Sequence, residues 1–411
     1  MRILLVTPPM TQLNTPYPAT AYLLGFLKQH AERLGLAVAQ ADPALALFLR
    51  LFSRDGLAKI VAAIDPAAQH PAVAQLRTHR ERYLATVDPT IRFLQGKDPT
   101  LALRIVGRDF LPEGPRFAAL ASDSDDDDTL AWAFGALGLV DRAKHLASLY
   151  VDDLADAIKH GVDPHFELSR YGEKLGASAA TFDALHGALA QPPTLVDDEL
   201  AAITRALVDD HRPDLVGLTV PFPGNVYGAF RIARTIRAHT PKGCQNQPKI
   251  ALGGGWVNTE LRGLADPRVF DDVDFITLDD GERPLLALVE HLRDHSKPLR
   301  RTFIREHQTV VLRDDPQLHD IPLAHAGTPS WHGLPLHDYV SLVEMLNPMH
   351  RLWSDGRWNK LTIAHGCYWK QCSFCDVTLD YIARYDPVAA DVLVDRIQAI
   401  ANETGQTGFH F

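Results

Sequence analysis

The chain has 411 residues, of which 46% are hydrophobic and 22% charged, a composition typical of a globular protein. Its formal net charge of −10 argues against duplex nucleic acid or an anionic membrane as the main partner. No apolar run is long enough to cross a bilayer, and the N-terminal one is too short for a signal peptide. We therefore expect a cytoplasmic protein that binds neither a membrane nor nucleic acid.

A βαβ unit is predicted at the start of the chain. Residues 2–7 form a short apolar run that ends at Pro8 and Pro9, which predicts a buried strand followed by a loop. Helical spacing follows over residues 19–34, and residues 36–40 predict a second strand. The connection within such a unit is expected to be right-handed.

The pattern then changes to helices that are interrupted by proline, glycine and aspartate. We interpret residues 43–197 as a helical insertion between the two parts of an α/β domain, residues 1–42 and 198–300. Strands alternate with helices again in the second part, which predicts a doubly wound parallel sheet. Its predicted strands are 215–220, 249–252 and 273–278, and its predicted helices are 227–239, 259–264 and 284–295.

The C-terminal part begins with a predicted hairpin over residues 301–313, and we assign 301–358 to this hairpin and a linker. Residues 360–364 predict a new strand that leads directly into a group of cysteines. A helix over 388–404 and the start of a strand over 408–411 follow. Residues 359–411 are therefore assigned to the beginning of a second domain.

Three of the four cysteines, Cys367, Cys372 and Cys375, fall within nine residues, whereas Cys244 lies alone in a polar loop. Three thiolates in one loop can ligate three irons of a [4Fe–4S] cube and leave the fourth iron open for a small ligand. A structural zinc site with His365 as the fourth ligand is an alternative, although such sites normally join two separated ligand pairs. A further alternative is that these cysteines bind no metal.

At these residues the sequence resembles the radical S-adenosylmethionine (SAM) enzymes. Their usual motif is C-x3-C-x2-C with an aromatic residue before the last cysteine; here Phe374 occupies the aromatic position and the first gap is four residues. The resemblance implies a [4Fe–4S] cluster on the three cysteines, SAM on its open iron near Phe374, and cleavage of SAM to a 5′-deoxyadenosyl radical. It also implies an electron donor such as flavodoxin or ferredoxin, and a small-molecule or peptide substrate.

A second group of residues lies at the ends of predicted strands, where doubly wound sheets bind their ligands. Its glycines would let a bulky planar ligand approach the backbone. The group consists of Thr7, Pro8, Pro9, Thr219, Val220, Pro221, Phe222, Gly253, Gly254, Gly255, Asp280, Gly281 and Glu282.

In this order, and followed by the cysteines, the group resembles the cobalamin-binding domain that is fused to many radical SAM enzymes. The resemblance covers residues 1–40 and 201–411 and implies that cobalamin binds along this edge of the sheet. Residues 10–20 contain no histidine, so no histidine ligand for cobalt is implied.

The expected fold is α/β, a Rossmann-like doubly wound parallel sheet with a helical insertion, followed by the first βα unit of a partial (β/α) barrel. The resemblance implies a cobalamin-dependent radical SAM enzyme that methylates or rearranges an unactivated carbon. Because the sequence ends at Phe411, before most of such a barrel, we expect this chain alone to be inactive. The alternative is a non-catalytic corrinoid- or nucleotide-binding module with a vestigial or electron-transfer cluster.

Overall fold

The computed structural model describes residues 1–121, 138–177, 181–240, 247–343, 358–372 and 375–411. Its centre is a seven-stranded sheet with the strand order β2-β1-β3-β4-β5-β6-β7. The first five strands of this order run parallel, and β6 and β7 are antiparallel. The strands are β1 (Arg2–Val6), β2 (Ala37–Ala41), β3 (Leu215–Thr219), β4 (Lys249–Gly253), β5 (Phe275–Thr277), β6 (Thr302–Glu306) and β7 (Thr309–Arg313).

Helices cover both faces of the sheet, and the described ranges contain none that is long and apolar enough to span a bilayer. The helices are α1 (Ala19–Gln29), α2 (Ala31–Leu34), α3 (Pro43–Leu51), α4 (Arg54–Ala63), α5 (Pro71–Thr78), α6 (Arg80–Leu94), α7 (Ala102–Val106), α8 (Ala118–Ala121), α9 (Leu139–Gly161), α10 (Glu173–Ala177), α11 (Asp183–Ala190), α12 (Leu195–His211), α13 (Val226–His239), α14 (Gly255–Glu260), α15 (Glu282–Arg293), α16 (Asp380–Ala383) and α17 (Ala390–Thr404).

The two layers of helices are explained by the alternation of side chains along the strands. Ile3 and Leu5 of β1 face a core that includes Leu24 of α1 and Leu285 of α15. The alternate residues of β1 face the opposite core, which continues into the helices between β2 and β3. Both faces are thus buried, which is why the parallel strands read as continuous apolar runs. The α/β class that we predicted is confirmed.

The five strands that belong to the predicted parallel sheet, β1 to β5, all run parallel, and the two antiparallel strands are those of the predicted hairpin, which we had not placed in this sheet. The predicted hairpin forms, but its first strand pairs antiparallel with β5, with Ile276 opposite Phe303. Thr302 and Phe303 are buried by this pairing. An unpaired β5 would leave a row of backbone donors and acceptors without partners, and the hairpin supplies those partners.

The helices between β2 and β3 are joined to α13 by a buried polar cluster. The hydroxyl oxygen of Tyr171 lies 3.1 Å from Asp163 Oδ2 and 3.1 Å from Asp197 Oδ1. Arg231 Nη2 lies 3.0 Å from Asp197 Oδ2, and Thr194 donates to Asp163 at 2.9 Å. Asp197 is thus paired with a cation and Asp163 accepts two hydroxyl hydrogen bonds, so both buried carboxylates have polar partners.

The C-terminal unit contains two small strand pairs, the short helix α16 and the longer helix α17. β8 (Asn359–Lys360) and β11 (Phe409–His410) are parallel, and α17 lies between them in the chain, so they form one βαβ unit. β9 (Ala364–Gly366) and β10 (Tyr385–Pro387) form an antiparallel pair from which the cysteine loop projects. The predicted strand at 360–364 is therefore divided between β8 and β9. One βαβ unit does not test the predicted barrel.

Candidate functional site

The cysteine loop starts where β9 ends. Gly366 has φ +79°, and a Cβ atom at this position would collide with the carbonyl oxygen of Arg384. Only glycine therefore allows β9 to approach the chain at β10 this closely. Cys367 is half-buried, Cys372 and Cys375 are exposed, and all three are free thiols. Ser373 and Phe374 lie outside the described residues.

The backbone of the loop favours a thiolate at its first cysteine. The N–H groups of Lys370 and Trp369 are directed at the Cys367 sulfur, and together with the Lys370 charge they lower the pKa of this thiol. The thiolate is the form that ligates metals. Within the described ranges no three His, Cys, Asp or Glu side chains converge on one point. The loop matches a cluster site by its donor type, three thiols close together in sequence, and not by a converged ligand geometry among the described residues.

The loop after β5 contacts the base of the cysteine loop. Asp280 Oδ1 lies 3.4 Å from His365 Nε2, and the other oxygen of Asp280 pairs with Arg384. Arg384 Nη1 also lies 3.2 Å from Asp320 Oδ2. Of the predicted sheet-edge residues, Asp280 is thus brought to the cysteine loop. His365 Nε2 lies 2.7 Å from the Tyr381 carbonyl oxygen as well, so this nitrogen already has partners other than a metal.

Two other predicted residues follow Asp280. Glu282 is the first residue of α15, and desolvation raises the pKa of its carboxyl. A Cβ atom at Gly281 would lie 3.0 Å from the Leu23 side chain. Gly281 therefore faces α1 and the Glu282 carboxyl is largely removed from water, and the structure does not assign either residue to a cofactor.

The loops after β1 and β3 are buried and hold one another. The buried residues are Thr7, Pro8, Pro9, Thr219, Val220 and Pro221. Asn225 donates from Nδ2 to the carbonyl oxygen of Pro8 at 2.8 Å, and the Met10 N–H donates to the Gly224 carbonyl at 3.1 Å. Phe222 differs, because it is 54% exposed.

The three consecutive glycines also face neighbouring backbone. A Cβ atom at Gly254 would lie 2.7 Å from the Val220 carbonyl oxygen, and one at Gly255 would lie 2.9 Å from that of Pro221. A Cβ atom at Gly253 would lie 2.9 Å from Thr277 Oγ1. These glycines thus allow the ends of adjacent strands to meet. Helix α14 begins within the glycines, so the helix predicted at 259–264 was placed four residues too late.

A cavity of about 860 Å³ opens beside these loops. It lies at the switch point between β1 and β3, from which α1 and α13 leave toward opposite faces of the sheet. Its walls come from the loop after β1, from β8 and β11, and from α9 with its flanking segments, by which we mean Arg116 and residues 166–170. Phe222 is the predicted residue that lines it. Tyr17, Lys360 and His410 also line it, and sequence analysis missed them because they come from segments far apart in the chain.

The chain matches no family model and no curated protein. One solved structure resembles it, that of the cobalamin-dependent S-adenosylmethionine radical enzyme OxsB with aqua-cobalamin and S-adenosylmethionine bound. The TM-score is 0.37 and the sequence identity 17%, over 51% of this chain and 26% of that chain. This chain thus spans about a quarter of the neighbour's length. A likeness of this size shows neither the activity nor the cofactors of this chain.

Proposed function

We propose that Cys367, Cys372 and Cys375 hold a [4Fe–4S] cluster and that the protein acts with SAM in radical chemistry. The observation that carries the proposal is the loop of three free thiols, together with the two backbone N–H groups directed at Cys367. A bound cluster of this kind supplies an open iron and an electron for the cleavage of SAM.

The residues around the loop would position it. Gly366 allows β9 to lie against Arg384, and Asp280 binds both Arg384 and His365. The base of the loop is therefore tied to the edge of the sheet by charged side chains. These contacts support the proposal, because a reacting group that is misplaced by about 1 Å can cost on the order of 100-fold in rate.

The proposal does not extend to cobalamin, since the residues predicted to contact it do not fit. Thr7, Thr219 and their neighbours are buried, and the space beside Gly254 and Gly255 is filled by the backbone of Val220 and Pro221. Of the residues predicted to contact cobalamin, Phe222 and Gly255 are exposed. Cobalamin binding stays a prediction from the sequence, and we derive no step through it.

Anaerobic reconstitution with iron and sulfide tests the proposed cluster. We expect about four irons per chain, with a broad visible absorbance from sulfur-to-iron charge transfer, and a change in the spectrum when SAM is added. Replacing Cys367, Cys372 or Cys375 with alanine should abolish the absorbance. The matched control is Cys244→Ala, which should leave it unchanged.

Three results would contradict the proposal. Stoichiometric zinc with no uptake of iron would favour a structural zinc site. An absorbance that survives all three alanine substitutions would show that the cluster is bound by other residues. A full cluster with no response to SAM would favour the alternative of an electron-transfer cluster without catalysis.

A further inference from the structure

The cavity at the switch point joins three parts of the molecule that are separate in sequence. The loop after β1 contributes Tyr17, the loop after β3 contributes Phe222, and the C-terminal unit contributes Lys360 and His410. The remaining wall is formed by α9 and its flanking segments. Its volume of about 860 Å³ is within the range of small-molecule sites. Such a site needs no contribution from the cysteine loop.

Most charges on the wall formed by α9 and its flanking segments are already paired. Arg116 Nε lies 2.7 Å from Asp156 Oδ2, and Lys159 pairs with Glu167. Hydrogen bonds to Asp156 raise the pKa of the Arg116 guanidinium most, and the nearby charge of Asp152 raises it further. These acidic and basic side chains largely neutralise one another.

Lys360 is different from these paired cations. Within the described ranges no carboxylate lies within ion-pairing distance of it, and its Nζ lies 3.3 Å from His410 Nδ1. It is half-buried at the end of β8, and desolvation lowers the pKa of its ammonium group. A half-buried ammonium group gains most from an anion that replaces its lost hydration.

Tyr17 and Phe222 supply an aromatic part of the cavity wall. Tyr17 and Phe222 form an edge-to-face pair with ring centroids 6.0 Å apart. Phe222 is 54% exposed, so an apolar or planar group in the cavity would remove a large aromatic surface from water.

We infer that this cavity binds an organic anion with a planar apolar part, whose charged group contacts Lys360 and whose apolar part packs on Tyr17 and Phe222. The site is separate from the proposed cluster and does not depend on it. Carboxylates and phosphates share the chemistry that Lys360 recognises, and the experiment compares the two.

Calorimetric titration of the full chain, with and without reconstituted iron, tests this inference. The probes are naphthoate, naphthyl phosphate and the neutral naphthamide. Both anions are expected to bind roughly tenfold more tightly than the amide, the gain typical of a hydrogen bond to a charged group. Lys360→Met should abolish this preference and leave amide binding intact. Lys360→Arg should retain it, and Phe222→Ala should weaken all three probes alike.

The control is Lys297→Met, which removes an exposed lysine outside the cavity and should match the unsubstituted protein. Equal binding of the anions and the amide would overturn the inference, as would a preference that survives Lys360→Met or the absence of binding by all three probes. If circular dichroism shows that Lys360→Met is unfolded, the unsubstituted protein and Lys360→Arg decide the outcome. Loss of iron binding would leave these results unchanged, so failure of the cluster proposal is distinguishable.

Discussion

Asp280 and His365 connect the end of strand β5 to the strand that carries the cysteine loop, with Asp280 Oδ1 3.4 Å from His365 Nε2. Arg384 pairs with the other oxygen of the same carboxylate and also contacts Asp320. One aspartate thus joins the two parts of the candidate site, the sheet edge and the cysteine loop. Removal of a carboxylate that is shared in this way should destabilise the base of the cysteine loop, because Arg384 then has one partner fewer.

We expect Asp280→Asn to loosen the strands at the base of the cysteine loop. The amide keeps the shape of the side chain but removes the charge that binds Arg384. Amide hydrogen exchange of β9 and β10 should become about tenfold faster, which corresponds to about 1.4 kcal/mol of local opening free energy. Asp210→Asn, an exposed substitution in α12, serves as the control. Unchanged exchange in β9 and β10 would contradict the positioning role of Asp280.

The ends of the strands that are buried on both faces could be predicted from sequence to within two residues. β3 was predicted at 215–220 and is observed at Leu215–Thr219. A short apolar run between turn residues is typical of a fully buried strand, so its ends are marked in the sequence. The pairing of β6 with β5 could not be predicted, since strand pairing depends on contacts between distant segments. The cavity was missed for the same reason, because Tyr17 and Lys360 are distant in the chain.

The glycines show a different limit of sequence analysis. A run of three glycines indicates that the backbone approaches something closely, but it does not say whether that is a ligand or another loop. In the structure the neighbours of Gly254 are atoms of Val220. Likewise, the spacing of the cysteines predicted a metal loop without revealing Arg384, which follows them and is tied to Asp280.

Gly254→Ala is expected to destabilise the fold itself. Gly254 has φ +116°, a conformation that L residues rarely adopt, and the new Cβ would press on the Val220 backbone. The expected loss is on the order of 3 kcal/mol in the free energy of unfolding, measured by urea denaturation. Gly263→Ala is the control, because no atom lies within 4 Å of a Cβ at that position. A fully stable Gly254→Ala protein would show that the close approach to Val220 is not needed.

Tyr171→Phe is expected to lower the free energy of unfolding, because it removes a hydrogen-bond partner of two carboxylates that are buried between the helices. Asp163 and Asp197 would both lose the hydroxyl that lies 3.1 Å from each, while the ring and its packing are preserved. Removing a buried partner of charged groups costs about 2 kcal/mol, to be measured by urea denaturation. Tyr368→Phe is the matched control, since Tyr368 is exposed. Equal stability of the two variants would mean that other groups satisfy these carboxylates.

The pH dependence of stability is expected to report on Asp153. This residue of α9 is 2% exposed; its Oδ1 accepts a hydrogen bond from the Arg116 N–H, and its Oδ2 has no hydrogen-bond partner among the described residues. Burial raises the pKa of its carboxyl to about 7. The folded protein therefore binds this proton more tightly than the unfolded chain, in which an aspartate has a pKa of about 3.9.

A raised pKa stabilises the folded state at low pH, and the stabilisation is lost as pH rises through the folded value. Between about pH 5 and about pH 8 this group alone should lower the free energy of unfolding by on the order of 2 kcal/mol. Asp153→Asn cannot ionise, so its loss of stability over this range should be smaller than that of the unsubstituted protein by this amount. Urea denaturation at a series of pH values measures the difference, with Asp395→Asn as an exposed control. Parallel pH profiles for Asp153→Asn and the unsubstituted protein would show that Asp153 is ionised in the folded state throughout this range.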